Sequence, residues 1–442
     1  MQELRSKEVV FDSRREHAAP AGVPRGQTGS LAAPGSRGVR QSGMSTWWAG
    51  CLAAWFGGAA TAQGAGFEVA LRDGSTVVVQ QIRGDAQRGF ELQGATGKRQ
   101  VAAGELLAIH GVAASVPELL TTFASGGEVL RGPIVGGDSA GARVELLSPT
   151  LGRVSIAVDR LVAVLTDRTL GPTALRLPNG VEEALFVRAG GGYDILAGTL
   201  HQFGELGVRF QPDGNAAPKW FGSGDFLGLV FSAVPPPPPS PVWMLTRTAE
   251  RFALQAPAAT EAGFRGKLLG DAEVLVSPAD VACLSFGEGV VFASDLEPKA
   301  VDESGCEGEV VLPWQRDRSV VGGPLVAFGR AHGKGLGVHS RSRLVFTVPA
   351  GCERFWTRVG LDDCVLQLPM QPAAVARVVC NGKVVFRADD LRAGQAPRDC
   401  GMLAVAPGDE IALEVDFGKG RDLGDRVDWL SPVFLPAGPR RP

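Results

Sequence analysis

Residues 333–362, GKGLGVHSRSRLVFTVPAGCERFWTRVGLD, set strand against strand. A Gly-rich turn opens the run and leads through His339 and Ser340. Leu344, Phe346 and Val348 then alternate with Val345 and Thr347, as in a strand with one buried face. Residues 349–351 (PAG) read as a turn. A second strand at 355–360 runs up to Asp362. Apolar alternation broken by Gly and Pro turns is the pattern of an antiparallel sheet, and it extends outward in both directions. The 442-residue chain carries 60 Gly and 30 Pro yet is 45 % hydrophobic, so short strands joined by turns fit it better than disorder. Helical spacing is scarce; residues 117–123 and 389–393 each offer a turn or two. The class is all-β, and the length suits roughly two to four domains.

Upstream the pattern repeats. Residues 67–111 and 123–165 match through Asp73-Gly74 with Gly126-Gly127, Ile82 with Ile134, FEL at 90–92 with VEL at 144–146, Gly97 with Gly152, and 106–109 with 161–164. A third copy is carried by Asn179-Gly180 and by segments 195–200, 207–210 and 224–231. A fourth lies in 264–269, 273–276 and 279–286. The last apolar strands recur about every 55 residues with one longer gap, as in stacked supersecondary units. Each copy reads as four or five short strands. The first hairpin opens at a DG, GG or NG turn, and the apolar last strand closes against the first. That is the layout of a small SH3-like or Sm-like β-barrel, too small to stand alone. The expected organisation is two repeats over 63–166, a third over 167–234, a stiff polyproline linker at 235–241, a fourth repeat over 242–287, a β-sandwich over 288–437 and a tail at 438–442. The repeats read as a scaffold, a stalk that holds the C-terminal domain away from a surface; the alternative is a tandem array that binds peptide or glycan on its exposed edges. Trp220 and Tyr193 stand out as their aromatics, and both read as packing residues in hairpins.

Residues 1–43 are polar, without apolar period, and read as disordered. Residues 44–62 read as a signal peptide: an apolar core too short to span a bilayer comfortably, ending in Ala60-Thr61-Ala62. Met44 is the expected start, which leaves 1–43 untranslated; the alternative is a short uncleaved anchor. The expected location is secreted, periplasmic or cell-envelope. Six cysteines follow, Cys283, Cys306, Cys352, Cys364, Cys380 and Cys400, an even number that suits disulfides in an exported chain. The net charge of -3 gives no basic footprint for nucleic acid. The five His lack metal-ligand spacing and no C-x-x-C occurs, which argues against zinc.

From Val290 the character changes, with turn signals at sandwich spacing. Ser294-Asp295-Leu296, Lys334-Gly335-Leu336-Gly337 with His339-Ser340, the apolar strand at 344–348, Arg354-Phe355 before Val359-Gly360 and Asp362, the Asn381-Gly382 hairpin and DRVDW at 425–429 follow in order. In that order they resemble the NPCBM family, the carbohydrate-binding module attached to glycoside hydrolase family 98. The resemblance implies a jelly-roll sandwich that binds sugar without chemistry, with Gly335, Gly337, Gly360, Asp428 and Trp429 as its structural motif. This chain departs from the pattern at His332, where the family usually has an aromatic, and at Arg426, where it usually has His.

A sugar site needs an aromatic plate for the pyranose ring and charged or amide groups for its hydroxyls. Phe355 and Trp356 face opposite sides of one strand, so with Phe355 in the core Trp356 is the expected plate. Arg341 and Arg343, two residues apart in line with His339, are the expected cationic row, with Asp362 beside them. His339 also reads as a hydrogen-bonded residue at a strand start. Asp422 and Asp425 are candidate calcium ligands, although their spacing is not that of an EF-hand loop. Neither a G-x-S-x-G elbow nor a carboxylate pair in an enclosing domain is evident, so catalysis is not expected. The expected function is an exported, non-catalytic protein that binds a glycan or polysaccharide. The alternatives are an envelope structural protein with a protein partner, and an accessory subunit of a separate glycoside hydrolase.

Overall fold

The computed structural model describes residues 66–437, apart from 112, 116–120, 125–126, 166–180, 191, 206, 216, 233–241, 269–271, 306–311 and 420–422. The expected signal peptide at 44–62, the region before it, the expected polyproline linker at 235–241, Cys306 and Asp422 lie outside the described residues. Among the described residues, helix is confined to short 3-10 turns, of which Asp363–Gln367 is the longest. Of the two expected helical turns, the first ends in the strand Thr121–Ala124 and the second falls almost wholly in the strand Lys383–Arg392. Cross-strand pairing of that second strand with Ala373–Cys380 overrides its local propensity.

In each repeat the first strand lies antiparallel beside the last. Phe67–Leu71 pairs with Leu106–His110, Thr121–Ala124 with Leu161–Leu165, Glu183–Ala189 with Phe226–Phe231, and Val242–Thr246 with Val281–Phe286. The last strands are continuously apolar because each also pairs, on its other edge, with the last strand of another repeat. Leu284 of repeat four faces Ile109 of repeat one, and Leu229 of repeat three faces Val164 of repeat two. A strand paired on both edges and covered on both faces has no polar side to keep. Arg251–Ala253 of repeat four joins Glu128–Arg131 of repeat two, so a 14-stranded sheet runs through the repeats in the spatial order three, two, four, one. Gln255–Thr260 adds to Gln81–Asp85 and ties repeat four to repeat one a second time. Val69, Phe90, Ile109, Val164, Phe203, Phe252 and Leu284 share one buried core.

The C-terminal region forms two antiparallel sheets around a second core. One orders Gln315–Arg316, Gly335–His339, Arg426–Pro436, Cys352–Leu361 and Arg398–Asp399. The other orders Ala300–Glu303, Ser342–Thr347, Glu410–Phe417, Ala373–Cys380 and Lys383–Arg392. Leu344, Phe346 and Val348 enter a core with Leu336, Phe355, Leu413 and Trp429, as their alternation expects. Val345, on the outer face, is also buried, beside Val379 and Ala412. The same core takes in Leu107, Ala108, Ala282 and Cys283. One set of side chains on the last strands of repeats one and four therefore fills the repeats, and another set packs on the sandwich.

The described cysteines, Cys283, Cys352, Cys364, Cys380 and Cys400, are free thiols, against the disulfide expectation. Three of the sulfurs have partners of their own. Cys364 Sγ accepts from Arg426 at 3.5 Å, Cys400 Sγ accepts from the Thr357 N–H at 3.2 Å, and Cys283 meets the Ser285 hydroxyl at 3.7 Å. Burial pushes the Cys283 thiol up to about 11 and those of Cys364 and Cys400 up to about 12, so they stay protonated and pack as small hydrophobes.

Candidate functional site

The motif residues form an internal framework. A Cβ at Gly335 would strike the Trp429 carbonyl, and one at Gly337 the backbone at 318–320. Trp429 pairs across from Leu336 and is fully buried. Asp428 is 0 % exposed, and no donor reaches either of its oxygens. Burial first, then the charge of Asp362, pushes its carboxyl well above the usual range. Asp362 accepts from the N–H groups of Cys364 (2.8 Å) and Val326 (3.2 Å). Asp425 accepts from the Ser340 hydroxyl (2.8 Å) and the Ala373 N–H (3.1 Å). These acids tie loops and strand ends together. Among the described residues no group of three or more side chains is arranged to hold a metal.

The expected site does not assemble. Trp356 does face away from Phe355, but it is only 3 % exposed. Its Nε1 donates to Asp399 at 2.9 Å. The Arg358 guanidinium lies 5.5 Å from its ring and reaches Glu68 of repeat one at 3.4 Å. That face of the sheet is where the repeats dock, so the plate is covered. Arg341 and Arg343 are not in line with His339 either. The chain leaves one sheet at His339 and enters the other at Ser342, with buried Ser340 between. Arg343 joins a row across the five-stranded sheet, Asp302–Arg343–Glu414–Arg377–Arg387, and donates to Glu414 at 3.0 Å. Arg341, its side chain 61 % exposed, faces Asp416 at 3.7 Å and the Phe417 ring at 6.0 Å. His339 Nδ1 lies 2.6 Å from the Ser340 carbonyl, a local bond at the end of its strand. Asp362 is buried.

The junction with the repeats absorbs further polar residues. Asp317 accepts from Arg251 (2.7 Å), Lys334 (3.1 Å) and the Gly335 N–H (3.1 Å), and Lys334 also pairs with Asp295. Burial alone would raise the Asp317 carboxyl; Lys334 and Arg251 outweigh it and hold it low. Arg251 lies 3.8 Å over Trp243, a cation–π contact. His110 of repeat one packs against His332 with ring centroids 4.5 Å apart and the rings tilted by 56°. Burial, then Arg358, pushes His110 down to about 4; burial, then His110, pushes His332 well down. Both rings are neutral at physiological pH.

What stays open is a loop end. Leu325–Ala327 and Arg330–His332 pair as a hairpin whose two-residue tip is Phe328-Gly329. Both tip residues have positive φ, 52° and 71°, the geometry of a turn that favours Asn-Gly. Asp363 holds the tip: its oxygens accept from the Phe328 N–H (3.0 Å) and the Gly329 N–H (2.6 Å). Phe328 is 56 % exposed, and Leu366, on the 3-10 turn Asp363–Gln367 that holds Asp363, is exposed as well. Sequence reasoning missed Phe328. The signal available was a Phe-Gly pair between two short apolar runs.

Residues 289–435 match the family model of the NPCBM/NEW2 domain, so the C-terminal third of the chain is an NPCBM domain. Among solved structures, the CBM51-2 and INT domains of Clostridium perfringens ZmpB are 26 % identical over 33 % of this chain and 31 % of that chain, with a TM-score of 0.29. This chain therefore spans under a third of that relative. The CBM51 of Clostridium perfringens GH95, solved in complex with methyl-galactose, is 21 % identical over 33 % of this chain and 99 % of that one, TM-score 0.29. The tandem CBM51 modules of a Streptococcus pneumoniae family 98 glycoside hydrolase are 12 % identical over 84 % and 88 %, TM-score 0.29. No curated protein matches the chain. No helix among the described residues is long and apolar enough to cross a membrane.

Proposed function

We propose that this is an exported, non-catalytic glycan-binding protein whose NPCBM domain presents Phe328 to a sugar ring. The family match supports the ligand class. The observation that carries the site is Phe328 itself, an exposed aromatic held at φ 52° by the Asp363 carboxylate. A bulky residue in that conformation costs on the order of 1–3 kcal/mol, and such strain concentrates at ligand sites. Asp363 keeps lone pairs for ligand hydroxyls. In this reading the repeats are SH3- or Sm-like barrels arranged as two pairs, the sandwich is a jelly roll, and residues 44–62 direct export. The repeats act as a base that shares a core with the sandwich, not as a stalk that holds it away. The exposed Leu366, on the 3-10 turn that holds Asp363, favours one second reading, an envelope protein that binds a protein partner there.

The test is a glycan array with the full chain, its Phe328→Ala and Arg341→Ala variants, and an EDTA arm for calcium. The proposal expects Phe328→Ala to lose at least tenfold in binding and Arg341→Ala to stay within about twofold, since loss of a stacking aromatic removes most of the contact area. Loss in Arg341→Ala alone moves the site to the five-stranded sheet. A folded wild type that binds no glycan moves the weight to the protein-partner reading.

A further inference from the structure

The strand Lys219–Gly222 of repeat three ends the 14-stranded sheet. On the face away from the repeat core, Gln202, Arg209 and Trp220 stand in one row across three strands. The next row is Gly204, Gly207 and Gly222, a strip without side chains. The Trp220 indole leans across this strip. A Cβ at Gly204 would sit 2.9 Å from its Cη2, so the ring rests on the glycine backbone. Trp220 is nonetheless 56 % exposed, as expected of a ring with one face down and one face in water. Arg209 is exposed beside it and has no hydrogen-bond or ion-pair partner among the described residues. Lys219, exposed on the same edge strand, alternates onto the opposite face; Glu205 is exposed in the turn between Gly204 and Gly207; and Gln211, one row away from Arg209, bonds His201 at 3.0 Å.

We propose that this row is a second carbohydrate site, which stacks a pyranose on Trp220 and takes the carboxylate of an acidic sugar on Arg209. Three features choose this occupant. The apolar surface is one indole, the size of one sugar ring; a stable protein interface needs about 800 Å² per partner with an apolar centre. The one charge in the row, Arg209, is cationic and has no hydrogen-bond or ion-pair partner among the described residues, and an arginine fork matches a carboxylate in bidentate geometry. The glycine strip leaves the ring open along its length, so a chain of sugars can run across it. The site is independent of Phe328. If both act, the chain holds polysaccharide at two points and gains avidity from the linkage.

The experiment is affinity electrophoresis of the full chain in gels carrying polygalacturonate, alginate or neutral galactan, with Trp220→Ala, Trp220→Phe, Arg209→Gln and Phe328→Ala variants. Circular dichroism melts confirm that each variant folds. The proposal expects the wild type to be retarded by at least one of the acidic polymers. Trp220→Ala should lose at least tenfold of that retardation, Trp220→Phe should keep most of it, and Arg209→Gln should lose severalfold. Phe328→Ala should leave retardation by the acidic polymer largely in place. If Trp220→Ala migrates as the wild type does, the site is refuted, and a simultaneous loss in Phe328→Ala would leave the NPCBM reading intact. Retardation by neutral galactan alone, no retardation in any gel, or a self-association that Trp220→Ala abolishes would each overturn it.

Discussion

Trp356 lies on the sheet of the sandwich that faces the repeats, and Trp220 lies at the free end of the sheet that runs through them. Each points away from a neighbouring phenylalanine, Phe355 or Phe221, on the opposite face of its strand. Trp356 is closed over by Asp399 and Arg358, and Arg358 is held in turn by Glu68 of repeat one. Trp220 rests against Gly204 and stays open, 56 % exposed. Local strand geometry is alike in the two cases. What differs is whether a distant part of the chain arrives on top. In a molecule whose sheets join end to end and whose last strands pack on a second domain, an outer face stays free mainly where a sheet stops.

The sharpest way to break this comparison is to delete both rings. Trp356→Ala should cost about 3–5 kcal/mol, because a buried aromatic leaves a cavity and an unpaired Asp399. Trp220→Ala should change stability by no more than about 0.5 kcal/mol, as exposed positions do. Urea melts of the two variants decide it, and equal costs would mean that Trp220 is a packing residue after all. Next in size is the residue that holds the cover. Glu68 pairs with Arg330 at 3.0 Å and with Arg358 at 3.4 Å. Glu68→Ala should cost about 2 kcal/mol, less than a fully buried pair because Arg330 is a third exposed. It should also speed proteolysis between repeats and sandwich; unchanged protection would show that apolar packing alone holds the junction.

A third measurement separates the junction from the open end by pH. His110 and His332 have folded pKa values below the unfolded value near 6.5. Between pH 6.5 and about 4 the unfolded chain therefore binds more protons than the folded one. The contribution of these two histidines to stability is fully present above pH 6.5 and falls as pH drops through this window, with a slope of at most about 1.4 kcal/mol per unit for each, while the raised Asp428 carboxyl acts in the opposite sense. Glu68, Arg330 and Arg358 are the charged groups around this pair, so the salt dependence should be modest. His332→Phe, which restores the aromatic usual in the family, should roughly halve the slope. An unchanged slope would assign the pH response elsewhere.

Much of this was legible in the sequence, and the unread part has a common cause. The inner face of 342–347, the pairing of first and last strands within each repeat, and the NPCBM motifs all rest on period-two alternation, turn residues and local order, which lie within a few tens of residues. The return of repeat four onto repeat one could not be read that way. The pairing of Leu284 with Ile109 carries no local signature beyond two apolar strands. The covering of Trp356 follows from that return, so it was hidden for the same reason. The break between His339 and Ser342 was hidden differently. Alternation looks continuous there, and the sheet crossing depends on Asp425, far along the chain, binding Ser340. The free cysteines went unread because an even count carries no geometry.

The smallest effect bears on the open end and has the opposite sign. Phe328 sits at φ 52° in a two-residue turn that Asn-Gly fills without strain. Asn tolerates that region, whereas an aromatic is held there at a cost. Phe328→Asn should therefore raise stability by roughly 0.5–1 kcal/mol while it abolishes retention on the glycan array, since a residue kept for binding gives up stability to do so. A melt and an array on the same preparation read both. Lower stability would show that the Phe328 ring packs against Leu366 well enough to offset its backbone strain, and the tip would then be structural. Higher stability with binding intact would leave the strain real but move the sugar to another face. Only the pairing of a gain in stability with a loss in binding fits an aromatic exposed for a ligand. That result would place Phe328 with Trp220, among the rings left open, and apart from Trp356.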